Sequence, residues 1–252
     1  MSKKFLILLF LIPFQLMFAQ KSLLKDFPEG YTPEEIGKRI AYRFLTEKHA
    51  LHVGKWIGYP ETFYWSGALR YADGAKDKEL IQRLQEKFDF LFTEEKILQP
   101  IMNHVDLNMF GSLPLEFYLV TKDLKYRYLG LPYADSQWEL PRNVKPHEKE
   151  WAEKGYSWQT RLWIDDMYMI TIVQTRAYKV TKDKKYIDRA AKEMVMYLDE
   201  LNVRMAFSIM PRMCLIIGGV EMAGWLPVWR SCFSACLKNI KIVHALWKAI
   251  SK

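Results

Sequence analysis

Apolar residues recur three and four positions apart along most of the chain, the spacing of amphipathic helices. Ile36, Ile40, Tyr42, Phe44 and Leu45 give Glu34 to Lys48 an apolar face, and Thr32-Pro33 supplies a cap and a proline at the first helical position. A loop with Gly54, Gly58 and Pro60 follows, then a ring-rich helix from Thr62 to Ala72. Leu80, Ile81, Leu84, Phe88 and Leu91 predict a third helix from Asp77 to Phe92. A fourth, Asp106 to Thr121, is expected to be interrupted at Pro114, and Lys125 to Trp138 to break into two short pieces at Pro132. Residues 140–162 are polar, hold two prolines and show no period, so they read as a long loop of the kind that carries function. Trp163 to Val180 and Lys185 to Asn202 form a strong helical pair. No segment reads as a strand.

A short motif punctuates this pattern. Thr121-Lys-Asp123-Leu-Lys-Tyr126 matches Thr181-Lys-Asp183-Lys-Lys-Tyr186, and Ala75-Lys-Asp77-Lys-Glu-Leu80 is a looser copy. Each follows an apolar helix and opens another, with Asp suited to the start and the next ring packing back. Repeated hairpins with nearly all-apolar first members predict an inner ring of buried helices and an outer amphipathic ring. The expected fold class is therefore all-α, with the form of a closed α/α toroid or barrel.

Composition refines this picture. Lys3 and Lys4 precede an apolar run, Phe5 to Phe18, interrupted only by Gln15, and Ala19-Gln20 offers a cleavage point. Residues 1–19 read as a signal peptide, which predicts a periplasmic or secreted protein with no membrane association after cleavage; an uncleaved anchor is the alternative. The run is short and carries Pro13, which disfavours a membrane span. The net charge of +8 is unevenly placed: residues 20–202 hold 28 basic and 28 acidic residues, so the central body has no basic excess to attract nucleic acid. Cys214, Cys232 and Cys236 all lie near the end, which leaves the body without a disulfide framework or a Cys-ligated metal site. No Gly-rich phosphate loop or ligand-spaced His cluster suggests a cofactor or a metal.

The candidate chemistry lies in Trp158-Gln-Thr-Arg161-Leu-Trp163-Ile-Asp165-Asp166-Met-Tyr168-Met. Two adjacent carboxylates sit between aromatics at the mouth of an apolar helix. Charge there costs free energy unless it is compensated or used, and burial raises a carboxylate pKa toward the range of a useful acid. The alternative is structural: one Asp caps the helix and its neighbour is a solvated first-turn residue.

Trp163-Ile-Asp165-Asp166-Met-Tyr168-Met, the stretch Asp106-Leu-Asn108-Met-Phe-Gly111 and the repeated Thr-Lys-Asp hairpins resemble glycoside hydrolase families 88 and 105, over roughly residues 30–202. These are unsaturated glucuronyl and rhamnogalacturonyl hydrolases with an (α/α)6 barrel. The resemblance implies as substrate and partner an oligosaccharide ending in a 4,5-unsaturated uronic acid, of pectin or rhamnogalacturonan type. One Asp protonates the vinyl ether and activates water, and the hemiketal opens to release the rest of the sugar. The two-carboxylate spacing rule for glycosidases then does not apply. By position after the tryptophan, Asp165 matches the acid/base, preferred to Asp166. Asp106 matches the second active-site carboxylate, whose charge would help keep Asp165 protonated; a helix cap is its alternative. Trp163, Trp158, Tyr64 and Trp65 are candidates for stacking on sugar, with Asp166 and Asn108 as further binding residues, although rings at helical spacing are more often core. A histidine often found before the catalytic helix has only His147 as a counterpart, well upstream, and carries no role over. His104 is a possible partner of Asp106, or a structural side chain.

After Asn202 the character of the chain changes. Residues 203–252 hold seven bases, one acid (Glu221) and no hairpin motif. Met205-Ala-Phe-Ser-Ile-Met-Pro-Arg-Met213 can be encoded by bases that, one frame over, read Asn-Gly-Leu-Phe-Tyr-His-Ala-Pro-Asp. Ile216 to Trp229 can likewise read Tyr-Trp-Gly-Arg-Gly-Asn-Gly-Trp-Met-Ala-Ala-Gly-Met. Both strings resemble the family's next active-site loop and helix, with its histidine and arginine. The expectation is an out-of-frame tail on a partial barrel, with about seven of twelve helices in frame; a divergent tail is the alternative. Three functional readings follow: the hydrolase, an inactive truncated relic of it, or another α/α-toroid glycosidase or glycan-binding protein.

Overall fold

The structure, a computed structural model, describes residues 27–200. The expected signal peptide with its cleavage point at Ala19, the three cysteines and the expected out-of-frame tail, 203–252, lie outside the described residues. The chain divides into two units between Ile40 and Ala41.

In the first unit, Thr32 opens helix α1 (Pro33–Thr46). Its hydroxyl accepts from Glu35 N at 3.1 Å, and Glu35 Oε2 accepts from Thr32 N at 3.0 Å, a reciprocal capping box.

The second unit contains the rest of α1, a short hairpin of β1 (Leu51–His52) and β2 (Trp56–Ile57), then α2 (Tyr59–Ala75), α3 (Lys78–Asp89), α4 (Val105–Asn108), α5 (Ser112–Thr121), α6 (Leu124–Ser136), α7 (Pro146–Glu153), α8 (Ile164–Thr181) and α9 (Lys184–Glu200). Three pairs form helical hairpins: α2 with α3, α5 with α6, and α8 with α9. Their first members also pack on one another in chain order, α2 on α5 and α5 on α8. α8 is buried from Asp166 to Ala177, whereas α3 buries only the stripe Leu80, Leu84 and Phe88. An inner helix buried along most of its length, as α8 is, and an outer helix with one apolar stripe, as α3 is, match the two layers of an α/α barrel, here three hairpins of it.

The recurring Thr-Lys-Asp motif is the joint of each hairpin. The Thr121 and Thr181 hydroxyls donate back to the carbonyls of Phe117 and Ala177, each at 2.8 Å. Lys76, Lys122 and Lys182 turn the chain at φ of 57°, 65° and 62°. Asp77, Asp123 and Asp183 then cap the next helix by accepting from Leu80 N, Lys125 N and Lys185 N at 2.9–3.0 Å. The rings pack back as expected. The Tyr126 hydroxyl reaches Asp89 at 2.6 Å and Tyr186 reaches Asp135 at 3.2 Å, which ties each outer helix to the one before it.

Several expectations are corrected. Leu51–His52 and Trp56–Ile57 pair as antiparallel strands where none was expected; two residues are too short for a period to show. The break in the fourth helix falls at Met109–Gly111, a 3₁₀ turn, not at Pro114. Pro114 lies in the first turn of α5, where its missing N–H is no loss. α6 runs unbroken through Pro132, and the bond this forfeits is to the carbonyl of Tyr128, an exposed residue. Close packing holds the helix there: a Cβ on Gly111 would lie 2.2 Å from Tyr133 Cβ, and one on Gly130 would lie 2.6 Å from Leu115 Cγ. The 140–162 loop contains α7, opened by Pro146 and by Glu148 accepting from Lys145 N at 2.8 Å. Among the described residues no helix is long and apolar enough to cross a membrane.

Candidate active site

The site begins at the last turn of α6, whose final carbonyls fall outside the ladder of backbone bonds. Side chains from elsewhere fill them. Asn108 donates to Tyr133 O at 3.2 Å and Gln174 to Ala134 O at 2.6 Å. Trp158 Nε1 donates to Ser136 O at 2.7 Å, and the Ser157 hydroxyl to Gln137 O at 2.9 Å. Segment 157–162 is thereby fixed against α6. From the other side, buried Glu193 of α9 accepts from Ser157 N at 3.0 Å and from the Thr160 hydroxyl. Burial pushes the Glu193 carboxyl up to about 7, against the lowering effect of those two bonds.

This brace presents Arg161. The next residue, Leu162, sits at φ of 60°, a strained conformation for a leucine, and turns the chain into α8. The Arg161 guanidinium gathers groups from two elements. Nε donates to Asp166 Oδ2 at 3.0 Å and Nη2 to Asp166 Oδ1 at 2.6 Å. Nη2 also reaches Asp106 Oδ1 at 2.9 Å, and Nη1 lies 3.2 Å from His104 Nε2. His104 Nδ1 caps the helix by accepting from Asp106 N at 3.3 Å, and it lies 3.6 Å from Asp106 Oδ2. Burial holds His104 below the usual imidazole range, as does the neighbouring Arg161, in keeping with a neutral ring. The guanidinium also stacks over Trp163, 4.5 Å from the ring centre.

The arrangement sorts the carboxylates. Asp166 is fully buried, and burial raises its pKa although Arg161 opposes the shift. Asp165, the preceding residue, is half-buried, and among the described residues none hydrogen-bonds its carboxylate. Asp106 stands in the first turn of α4, paired with Arg161. Both Asp165 and Asp166 lie in the first turn of α8, where the helix dipole favours negative charge.

The other expected site residues divide by burial. Trp163 is 60% exposed and Tyr64 53%, so both offer a face, but no described contact joins Tyr64 to the Arg161 cluster. Trp65 is wholly buried among Phe44, Phe88 and Phe117 and donates its indole N–H to Leu84 O, which leaves no face for a sugar. Trp158 and Asn108 are buried too and brace the end of α6, so neither is placed to touch a ligand. Sequence reasoning assigned no role to Arg161 or Glu193. Arg161 stood in view between two tryptophans, but its partner Asp106 is 55 residues away. A cleft lined by His49, Arg83, Lys87 and Glu95, among others, shares no residue with this cluster.

A family model for Glycosyl Hydrolase Family 88 matches residues 34–202. Its end coincides with the change of character after Asn202. No curated protein matches the chain, and no solved structure does.

Proposed function

The chain belongs to Glycosyl Hydrolase Family 88, and from that premise we propose that it acts on oligosaccharides ending in a 4,5-unsaturated uronic acid, with Asp165 as the acid/base. The observation that carries this reading is the division of labour imposed by Arg161. Asp106 and Asp166 both pair with one guanidinium, and Asp165 is left open at the helix mouth. The Asp165 carboxyl gives its proton to C4 of the vinyl ether. The resulting carboxylate takes a proton from the water that attacks C5. The hemiketal then opens and expels the remaining sugar. Trp163, exposed and backed by Arg161, offers a stacking face beside that carboxylate. The test is the ultraviolet absorbance of the conjugated double bond in an unsaturated disaccharide, which falls as the bond is hydrated. Asp165→Asn is expected to abolish the fall.

A second reading is favoured by the tail. Three hairpins are described where a closed toroid of this family needs six, and the family match stops at residue 202. We infer that residues 203–252 are translated one base out of register. The histidine and arginine of the family's next loop are then missing from this product, and its turnover falls far below that of a frame-restored chain. The basic, apolar start of the chain supports export to the periplasm or beyond.

A further inference from the structure

We propose that His52 is a specificity-determining residue of this site, donating a hydrogen bond to the carboxylate of the terminal uronic acid. The inference rests on the uronate reading above.

Its starting point is charge. One guanidinium serves Asp106 and Asp166, and Asp165 stands beside them, so the cluster carries more negative than positive charge. An anionic sugar entering it is repelled unless another donor faces it. Arg161 has spent most of its N–H groups on Asp106, Asp166 and His104. His104 is committed as well, with one nitrogen against Arg161 and the other against Asp106. The remaining ring is His52, which lies face-on to His104 with centroids 6.4 Å apart and planes at 28°. Its side chain is half-buried, and among the described residues its ring nitrogens have no hydrogen-bond partner.

The surrounding chain holds that ring in place. His52 ends β1 opposite Trp56, and the turn between them sets Val53 at φ of 45° and Gly54 at 69°. A β-branched residue at positive φ is strained, so packing must enforce the turn. Gly58 makes room for it: a Cβ at that position would lie 2.9 Å from His52 Cβ. The base of the hairpin is pinned to α2. Glu61, itself buried, accepts from Ala50 N at 3.2 Å and contacts His49 Nδ1 at 2.6 Å, while His49 Nε2 reaches Glu95 at 3.1 Å. A donor on so rigid a base is pre-positioned for a ligand group.

The test uses the full 252-residue chain and ligand-observed NMR titration with two probes, a 4,5-unsaturated uronyl disaccharide and its uncharged methyl ester. The wild type is expected to bind the acid roughly tenfold more tightly than the ester, the scale of one charge-assisted hydrogen bond. His52→Phe keeps a ring against His104 but has no donor, and is expected to erase that preference with ester binding unchanged. His52→Gln keeps an N–H of similar reach and is expected to restore part of it. A Phe variant that still prefers the acid as the wild type does, or one that weakens acid and ester equally, overturns the inference and leaves the uronate reading standing. A wild type that binds both probes equally also overturns it. Binding of neither probe by the wild type overturns this inference; binding of neither by the frame-restored chain overturns the uronate reading as well.

Discussion

Arg161 grips Asp166 at two points, Nε to Oδ2 at 3.0 Å and Nη2 to Oδ1 at 2.6 Å, and so compensates a carboxylate that is otherwise fully buried. Removing one partner of such a pair leaves an unpaired buried charge. Arg161→Met is therefore expected to lower unfolding free energy by about 3 kcal/mol in urea titration. Arg161→Lys should recover only part of this, because an ammonium cannot make the planar two-point contact. A loss within the scatter of ordinary surface substitutions would show that the pair is dispensable.

Glu193 makes stability depend on pH. Its folded pKa, about 7, lies above the ordinary 4.5, so the native state holds a proton that the unfolded chain gives up. The native state binds the extra proton between those values, and stability falls as pH rises through that window. The loss from this group alone is about 3 kcal/mol. Glu193→Gln has no such proton to lose. The change in Tm between pH 5 and pH 8 should thus be smaller in the variant than in the wild type; equal changes would contradict the assignment.

Two tryptophans should behave in opposite ways. Trp65→Ala empties a core position and is expected to cost about 3–5 kcal/mol. Trp163→Ala removes an exposed ring and should leave the melting temperature nearly unchanged. It is expected to weaken binding of an unsaturated disaccharide by a few-fold, up to about tenfold. Calorimetry on both variants, with and without the sugar, separates the roles.

The hairpin joints can be tested at Tyr126. Its hydroxyl gives a 2.6 Å bond to Asp89, whereas the equivalent Tyr186 bond to Asp135 is 3.2 Å. Tyr126→Phe is expected to cost about 1 kcal/mol, and Tyr186→Phe less, because the longer bond is the weaker one. The reverse order in chemical denaturation would refute this ranking.

The reading frame has a direct measurement. Resequencing the gene around codons 200–205 is expected to reveal a single-base insertion or deletion relative to the frame that encodes the second histidine and arginine strings. Restoring that frame should raise turnover of an unsaturated disaccharide at least a hundredfold, the scale of losing one transition-state donor. In that restored chain Asp165→Asn should abolish turnover, while robust turnover by the 252-residue chain itself would remove the inactive reading.

Much of this was legible before any coordinates. Helical periods, the Thr-Lys-Asp joints, the two-layer plan and the break after Asn202 all depend on residues a few positions apart, and local caps and stripes are written at that range. The same locality explains the misreadings. Pro132 looks like a helix breaker, but Gly111 and Gly130 let the chain pack closely against Tyr133 and Leu115 on either side of it. Trp65 and Tyr64 are adjacent in sequence, and only packing decides that one is core and the other exposed. Asp165 and Asp166 are equivalent as a dipeptide. What separates them is Arg161, held by Ser157 and Thr160 against Glu193 of α9 and joined to Asp106 of α4. The sequence by itself determined that two carboxylates open an apolar helix. The tertiary structure decided which of them is paired with a guanidinium, because burial and charge compensation depend on groups brought from distant parts of the chain.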